Sequence, residues 1–218
     1  LWEWDEKLHY KHRPNVTRYW SSNKNRPIKT NEYGHHDHSF PLKKKKNELR
    51  IEHILVTHSH FDHIASLEKV YKLYPVPIIV HEEEFENVVD NKKNLSEMFG
   101  VDGIKDHGKN MQWKKVKDNE TFYCGKQEIK VIYTPGHTVG GACFYIDEKN
   151  GNKILFTGDT LFCGTIGRTD FDGGDYDVLI SSLKKITRLP KETIIFPGHE
   201  QSSTIENELK ENPYLRSS

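Results

Sequence analysis

The stretch Thr57-His58-Ser59-His60-Phe61-Asp62-His63 places three imidazoles and a carboxylate within six residues, directly after the apolar run 54–56. Neutral imidazole is a ligand for zinc and iron, and a carboxylate between two histidines adds an anionic ligand. The spacing H-x-H-x-D-H can therefore direct ligands toward two adjacent ions. Histidine clusters on loops are often only solvated, so the assignment depends on what the rest of the chain supplies.

Three further segments end an apolar, strand-like run with a residue that can bind a metal. Residues 131–137 end at His137, residues 154–159 at Asp159 and residues 194–199 at His199. Rigid strands aim side chains more accurately than free loops do. Four strand ends that deliver His or Asp therefore indicate a metal site at the edge of a sheet.

The combined ligand set resembles that of the metallo-β-lactamase superfamily. The set is His58, His60, Asp62, His63, His137, Asp159 and His199. Within the superfamily, three motifs resemble the glyoxalase II (hydroxyacylglutathione hydrolase) group, and most closely its one-domain relatives: Gly158-Asp159-Thr160-Leu161-Phe162, Gly167-Arg168-Thr169-Asp170 and Pro197-Gly198-His199-Glu200. The similarity covers about residues 50–215. It implies an α/β fold, the four-layer αβ/βα sandwich, with metals at one edge between the two sheets.

The resemblance also implies how the ligands divide between two divalent ions. The first ion would take His58, His60 and His137, the second Asp62, His63 and His199, and Asp159 would bridge them. Zinc is the favoured metal, with iron and manganese as alternatives. Two such ions share a hydroxide whose pKa is lowered toward ~7 and polarise a carbonyl, which makes Asp62 and Asp159 the expected catalytic carboxylates. The chain has no G-x-S-x-G nucleophile elbow, which fits attack by hydroxide.

The substrate implied by the resemblance is a small-molecule glutathione thioester such as S-lactoylglutathione. Arg168 and Asp170 stand where that family has a Lys and a Tyr that hold glutathione, and Phe162 is the third candidate for substrate binding. Arg168 can pair with a substrate carboxylate, but Asp170 cannot replace a tyrosine hydroxyl. The alternative is that Arg168 and Asp170 pair with each other and brace the loop.

Two other functions remain open. The segment 167–171, Gly-Arg-Thr-Asp-Phe, also resembles persulfide dioxygenases of the superfamily, in which two His and one Asp hold a single iron. The equivalent ligands are His58, His137 and Asp159. The second possibility is a metal-binding module without catalysis. The presence of all seven ligands favours hydrolysis, and the metal content of the purified protein would discriminate among the three.

Composition limits the partners and the compartment. Among 218 residues the charges sum to zero, so no global field favours nucleic acid, and no apolar run approaches the ~20 residues of a membrane-spanning helix. Three cysteines without a C-x-x-C spacing favour a reducing intracellular compartment, cytoplasm or organelle. The sequence starts at Leu1, so an N-terminal targeting segment would not be visible.

The chain is expected to form an irregular or incomplete N-terminal segment, 1–50, and a catalytic domain, 51–218. Residues 1–50 show neither period 2 nor period 3.6, and their clusters His35-His36-Asp37-His38 and Lys43-Lys44-Lys45-Lys46 are interpreted as solvated. Helical patterns cover 64–74, 82–99 and 175–189, and a shorter helix starts with the cap pattern at 203–206. Strands are expected at 78–80, 127–133, 142–146 and 154–157.

Overall fold

The computed structural model describes residues 18–21, 26–29, 51–148 and 151–216. Eleven of its strands form two sheets, and a two-stranded ribbon lies beside them. The first sheet contains β1 (Arg18–Ser21), β2 (Arg26–Lys29), β3 (Ile51–Leu55), β4 (Ile78–His81) and β5 (Trp113–Val116). Its spatial order is β2-β1-β3-β4-β5, with β1 antiparallel to both neighbours and β3, β4 and β5 parallel.

The second sheet carries most of the C-terminal half of the chain. Its strands are β6 (Thr121–Cys124), β7 (Gln127–Tyr133), β8 (Ala142–Asp147), β9 (Lys153–Gly158), β12 (Ile194–Pro197) and β13 (Ser203–Thr204). The ribbon between β9 and β12 consists of β10 (Leu161–Phe162) and β11 (Thr165–Ile166). The spatial order is β13-β12-β9-β8-β7-β6, in which only the β9–β12 pair is parallel.

The helices lie on the outer faces of the two sheets. The first group is α1 (Phe61–Ile64), α2 (Leu67–Leu73) and α3 (Phe85–Val89), followed by a 3₁₀ turn at Lys105–Gly108. The second group is α4 (Tyr176–Ile186), α5 (Ile205–Glu211) and α6 (Pro213–Arg216). None of the helices in the described part of the chain is long and apolar enough to cross a membrane.

Alternation along the strands builds the four layers. On β3, Leu55 joins the core between the two sheets, whereas its neighbour Ile54 packs toward the helices on the outer face. The same split separates Val131 from Ile132 on β7. Because successive strand side chains point to opposite faces, a strand with apolar residues on both faces must be covered on both. The expected helix–sheet–sheet–helix sandwich is therefore confirmed.

Several sequence-based elements match the structure closely. Strand β7 has the predicted bounds, and α4 begins after Asp175, whose Oδ1 accepts the N–H of Val178 at 3.0 Å. Helix α5 begins after Thr204, whose hydroxyl accepts the N–H of Asn207 at 3.2 Å. Side-chain acceptors of this kind satisfy N–H groups that the first turn of a helix leaves free, which is why caps mark helix starts reliably.

The long helix predicted over 82–99 is wrong before Phe85 and beyond Val89. Asp90 takes an extended conformation, and turns follow. The side-chain amide of Asn94 donates to Val88 O at 2.9 Å, its oxygen accepts the Ser96 N–H at 3.0 Å, and Leu95 has φ of 68°. Asparagine bonds to the local backbone compete with helical hydrogen bonds, so apolar spacing alone overestimates the helix.

Two short strands are described within the N-terminal segment, and the expectation that 1–50 is mostly irregular stays a prediction. Strands β1 and β2 lie within residues 1–50, although the sequence there has no strand period. Strand β1 pairs with both β2 and β3, and these pairings define strands that the local sequence pattern does not predict. The clusters at 35–38 and 43–46 lie outside the described residues, so their interpretation as solvated loop stays a prediction.

Candidate metal centre

The seven predicted ligands follow strand ends that meet at one edge of the sandwich. Strands β7, β9 and β12 run in the same direction, because β8 is antiparallel to both β7 and β9, and β9 is parallel to β12. Their carboxyl ends lead to His137, Asp159 and His199. The loop after β3, in the other sheet, joins this edge through a hydrogen bond from Ala142 N–H to Thr57 O at 2.9 Å.

Asp159 lies at the centre of the cluster. Its Oδ1 is 3.2 Å from Nε2 of His63, and its Oδ2 is 3.3 Å from Nε2 of His199, 3.6 Å from that of His137 and 3.9 Å from that of His58. One carboxylate thus faces four imidazole nitrogens from three other segments of the chain, since His58 and His63 belong to the same loop. Asp62 adds a second carboxylate, with Oδ2 3.1 Å from His199 Nε2 and 3.6 Å from His63 Nε2.

The ligand atoms fall into groups whose members lie within 4.8 Å of one another. The groups are His58, His60 and His137; Asp62, His63 and His199; and His58, His63 and Asp159. The first two are the sets that the sequence analysis assigned to separate ions. The third joins one histidine from each set to the aspartate expected to bridge them. The structure therefore brings all seven residues together, while their role as ligands stays a prediction.

The donor set fits divalent metal ions. Nε2 of His58 and of His137 is buried without a hydrogen-bond partner among the described residues, an arrangement that is unfavourable unless something else binds those atoms. Burial lowers the pKa of His58 and His137, and it lowers the pKa of His60 to about 4. Neutral imidazoles at physiological pH present free lone pairs. These are the form in which histidine coordinates a metal.

The pKa shifts of Asp159 and His199 also fit a site for a positively charged ion. Burial by itself raises the pKa of Asp159, but His63 and His58 lower it well below the usual range, so the carboxylate is ionised. Hydrogen bonds to Asp159 and Asp62 raise the pKa of His199 to about 10. The two carboxylates thus favour positive charge at this position.

Polar contacts behind the ligands orient two of the rings. Nδ1 of His137 donates to the carbonyl of Arg168 at 2.7 Å, and Nδ1 of His58 lies 3.3 Å from the Thr57 hydroxyl. Bonds of this kind fix the tautomer and turn Nε2 inward.

A cleft of about 410 Å³ opens beside the cluster. Its apolar wall consists of Phe61, Leu95, Phe99, Phe162, Ile166 and Phe171. Phe162, a predicted substrate contact, lines the cleft, and its ring centroid is 5.8 Å from that of His199. This wall therefore suits contact with an apolar group.

Arg168 and Asp170 pair with each other. The Arg168 Nε and Nη2 donate to the two Asp170 carboxylate oxygens at 2.7 and 2.6 Å, and the guanidinium carbon lies 3.9 Å from the Phe171 ring centroid. The bracing alternative of the sequence analysis thus describes this arrangement. Arg168 still lines the cleft. Its side chain is 56% exposed and that of Asp170 64%, so the pair is open to exchange with another anion.

Sequence reasoning missed Glu84. This residue is fully buried, and its carboxylate accepts the N–H groups of Ser59 and Gly140, each at 2.7 Å. It ends a run of three glutamates, 82–84, that has the appearance of a solvated acidic stretch. No pattern in the sequence separates the buried member from its two neighbours.

The comparisons with known proteins agree with this geometry. Residues 21–199 match the family model described as the metallo-beta-lactamase superfamily. The hydroxyacylglutathione hydrolase GloC of Haemophilus influenzae is 34% identical over 171 residues, 78% of each chain, and a Bacillus subtilis protein named "Probable metallo-hydrolase YqgX" is 33% identical over 163 residues, 74% of each. Among solved structures, TTHA1623 in a di-iron-bound form aligns with a TM-score of 0.62 at 30% identity, covering 74% of this chain and 76% of that one.

Proposed function

Since the chain belongs to the metallo-β-lactamase superfamily and is a metallo-hydrolase of that superfamily, we propose that it holds two divalent ions and hydrolyses a thioester. S-lactoylglutathione is the first candidate substrate. The observation that carries the proposal is the position of Asp159, whose two carboxylate oxygens face histidines of both three-residue sets within 4 Å. A carboxylate so placed can bridge two ions.

The proposed ligands are those of the two geometric groups. His58, His60 and His137 would hold the first ion, Asp62, His63 and His199 the second, and Asp159 both. Zinc is favoured by the nitrogen and oxygen donors, and the di-iron form of TTHA1623 supports iron as an alternative, beside manganese. Two bound ions supply a Lewis acid for the carbonyl and lower the pKa of a shared water.

The protein side chains would prepare the reaction in three ways. The neutral imidazoles and the ionised Asp159 fix the charge of the cluster before substrate arrives, so little reorganisation is needed during the reaction. Asp62, which is 20% exposed at the cleft, is the carboxylate placed to accept a proton from the attacking water. The apolar wall excludes water around the scissile bond, which strengthens electrostatic interactions there.

Recognition of the thiol portion is proposed at the Arg168 end of the cleft. The name of the Haemophilus influenzae relative supports a glutathione thioester. Glutathione carries carboxylates, and a carboxylate could displace Asp170 from Arg168, because an exposed ion pair contributes little free energy. The partner is then a small molecule.

All three cysteines are free, which supports a reducing compartment as the proposed location.

Persulfide dioxygenase is the second candidate function. The observation in its favour is that the Gly-Arg-Thr-Asp-Phe segment, 167–171, contributes Arg168 and Phe171 to the cleft wall. His58, His137 and Asp159 would be the ligands of a single iron, with both Nε2 atoms within 4 Å of Asp159 Oδ2. This leaves Asp62, His63 and His199 without a role.

The deciding experiment measures two reactions side by side on the purified, metal-analysed protein. Thiol release from S-lactoylglutathione is assayed beside oxygen consumption with glutathione persulfide. We expect two metal ions per chain and thiol release. Oxygen consumption without thiol release, together with one iron per chain, would transfer the assignment to the dioxygenase. A protein that binds metal and performs neither reaction would favour the binding module.

A further inference from the structure

One buried carboxylate joins the two loops that carry the first set of histidines. Glu84 lies between β4 and α3 and has no exposed surface. Its Oε1 accepts the N–H of Ser59 and its Oε2 accepts the N–H of Gly140, both at 2.7 Å. Ser59 stands between His58 and His60, and Gly140 follows His137 by three residues. A single side chain therefore connects the segments that supply all three ligands of that set.

The loop of His137 packs directly on the backbone at Glu84. A Cβ at Gly140 would lie 2.2 Å from Glu84 N and 2.5 Å from its Cα, so only glycine allows this approach. The Glu84 carboxylate and its backbone thus hold the same loop at two points. A shift of either loop would have to break a short bond to a buried, charged acceptor, and such bonds are the strong ones.

Packing alone does not explain why the carboxylate of Glu84 is buried, because burial of a charged group is unfavourable. Desolvation raises the pKa of Glu84, and the hydrogen bonds that it accepts, first of all from Ser59, oppose that rise. Buried charged groups contribute little net stability compared with well-packed apolar ones, so the two hydrogen bonds of Glu84 point to a role in geometry. The geometry specified here is the distance between two histidine-bearing loops.

We infer that Glu84 is a positioning residue that sets the separation of the 58–60 loop and the 137–140 loop, and thereby the affinity of the first metal site. The inference rests on the proposed function, since it assumes that His58, His60 and His137 bind a metal. Glu84 touches neither the metal position nor the cleft, and it makes no contact with His63 or His199 among those described. The second site should therefore be affected much less.

The test is the substitution Glu84→Gln, read by metal binding. An amide keeps one oxygen acceptor but places an NH₂ group against the other backbone N–H, so one loop is released. We expect the first metal to bind about 10- to 100-fold more weakly, the usual range for loss of a partner behind the ligands, and the second to bind as in the wild type. Metal-free protein is titrated with Co²⁺ or Zn²⁺ in competition with a chromophoric chelator, and both constants are fitted.

Glu148→Gln is the matched control. Glu148 is also a buried glutamate, but its Oε2 accepts from the Asn152 side chain at 2.9 Å in the turn between β8 and β9, away from the ligands. The amide keeps an oxygen for that bond, so this variant should leave both metal constants unchanged. If Glu84→Gln also leaves both metal constants at their wild-type values, Glu84 is only structural and the inference is overturned.

Glu84→Asp keeps the inference testable if the amide variant does not fold. Aspartate keeps the charge but is shorter by one methylene, so it cannot reach both N–H groups, and the first constant should again weaken. Unchanged constants in this variant would also overturn the inference. A wild-type protein that binds no metal would overturn the proposed function itself, and this outcome is distinct from a wild type that binds two ions and a Glu84 variant that binds them equally well.

Discussion

Asp159 Oδ2 lies 3.3 Å from His199 Nε2, although the whole of helix α4 separates the two residues along the chain. The contact follows from the parallel pairing of β9 with β12, in which Gly158 stands opposite Pro197. The Gly198 N–H donates to Gly158 O at 2.8 Å, just beyond the last paired residues. A crossover helix between parallel strands thus brings the central carboxylate and the last histidine to the same sheet edge.

Replacement of Asp159 by alanine should abolish the shared site. Because one carboxylate faces histidines of both sets, Asp159→Ala should lower kcat by about 100-fold or more and remove at least one metal ion per chain. Steady-state thiol release and metal analysis measure the two effects. Asp172→Ala, which changes an exposed aspartate, is the control and should retain both values. Full activity of the Asp159 variant would rule out the two-metal mechanism.

Removal of the metal should destabilise the fold. Seven ligands from four segments bring together groups that repel or are desolvated without cations. An ion present at a thousandfold excess over its Kd stabilises by about 4 kcal/mol, which corresponds to a Tm difference of ~8–16 °C for a chain of this size. Differential scanning calorimetry with and without chelator measures the shift, and addition of excess metal should restore the original Tm. A chelated, metal-free protein with an unchanged Tm would contradict the prediction.

Gly198→Ala should disrupt the centre without replacing any candidate ligand. A Cβ at this position would lie 2.2 Å from Asp159 Oδ1 and 2.5 Å from His63 Cε1, so both side chains must move. We expect metal affinity to fall by about 10-fold or more, because displaced ligands lose their geometry. Gly151→Ala is the control, since Gly151 has φ of 95° in the β8–β9 turn and a Cβ added there would meet no atom within 4 Å. It should lower the Tm and leave metal affinity unchanged, and equal metal loss in both variants would refute the steric explanation.

Asp170→Asn should improve binding of an anionic thioester. Neutralising Asp170 releases Arg168, and a substrate carboxylate then meets no competitor, so KM should fall severalfold while kcat is unchanged. Arg168→Ala should raise KM instead, because only the side chain is removed and the carbonyl that fixes His137 remains. A thioester without carboxylates serves as the control and should show neither effect. An increase in KM on Asp170→Asn would mean that the pair acts as a brace during catalysis.

Local chemistry explains the elements and residues that could be predicted. Helix α4 was predictable because Asp175 caps it, apolar residues recur at its period, and Pro190 follows its end. The seven candidate ligands could be singled out because they follow apolar, strand-like runs, and the layered fold was expected from the family resemblance that they carry. Strands β1 and β2 were not predictable, since their order comes from pairing with β3 and not from any period of their own.

The sequence by itself determined which side chains have the chemistry to bind metal and which apolar runs precede them, because residue type and residue order are local properties. Only the tertiary structure decided that Glu84, and not Glu82 or Glu83, is buried between the histidine loops, and that Arg168 faces Asp170. The burial of Glu84 and the pairing of Arg168 depend on which backbone N–H groups and charged side chains the fold places next to them. A carboxylate is solvated or buried according to whether such donors surround it, and sequence neighbours do not specify them.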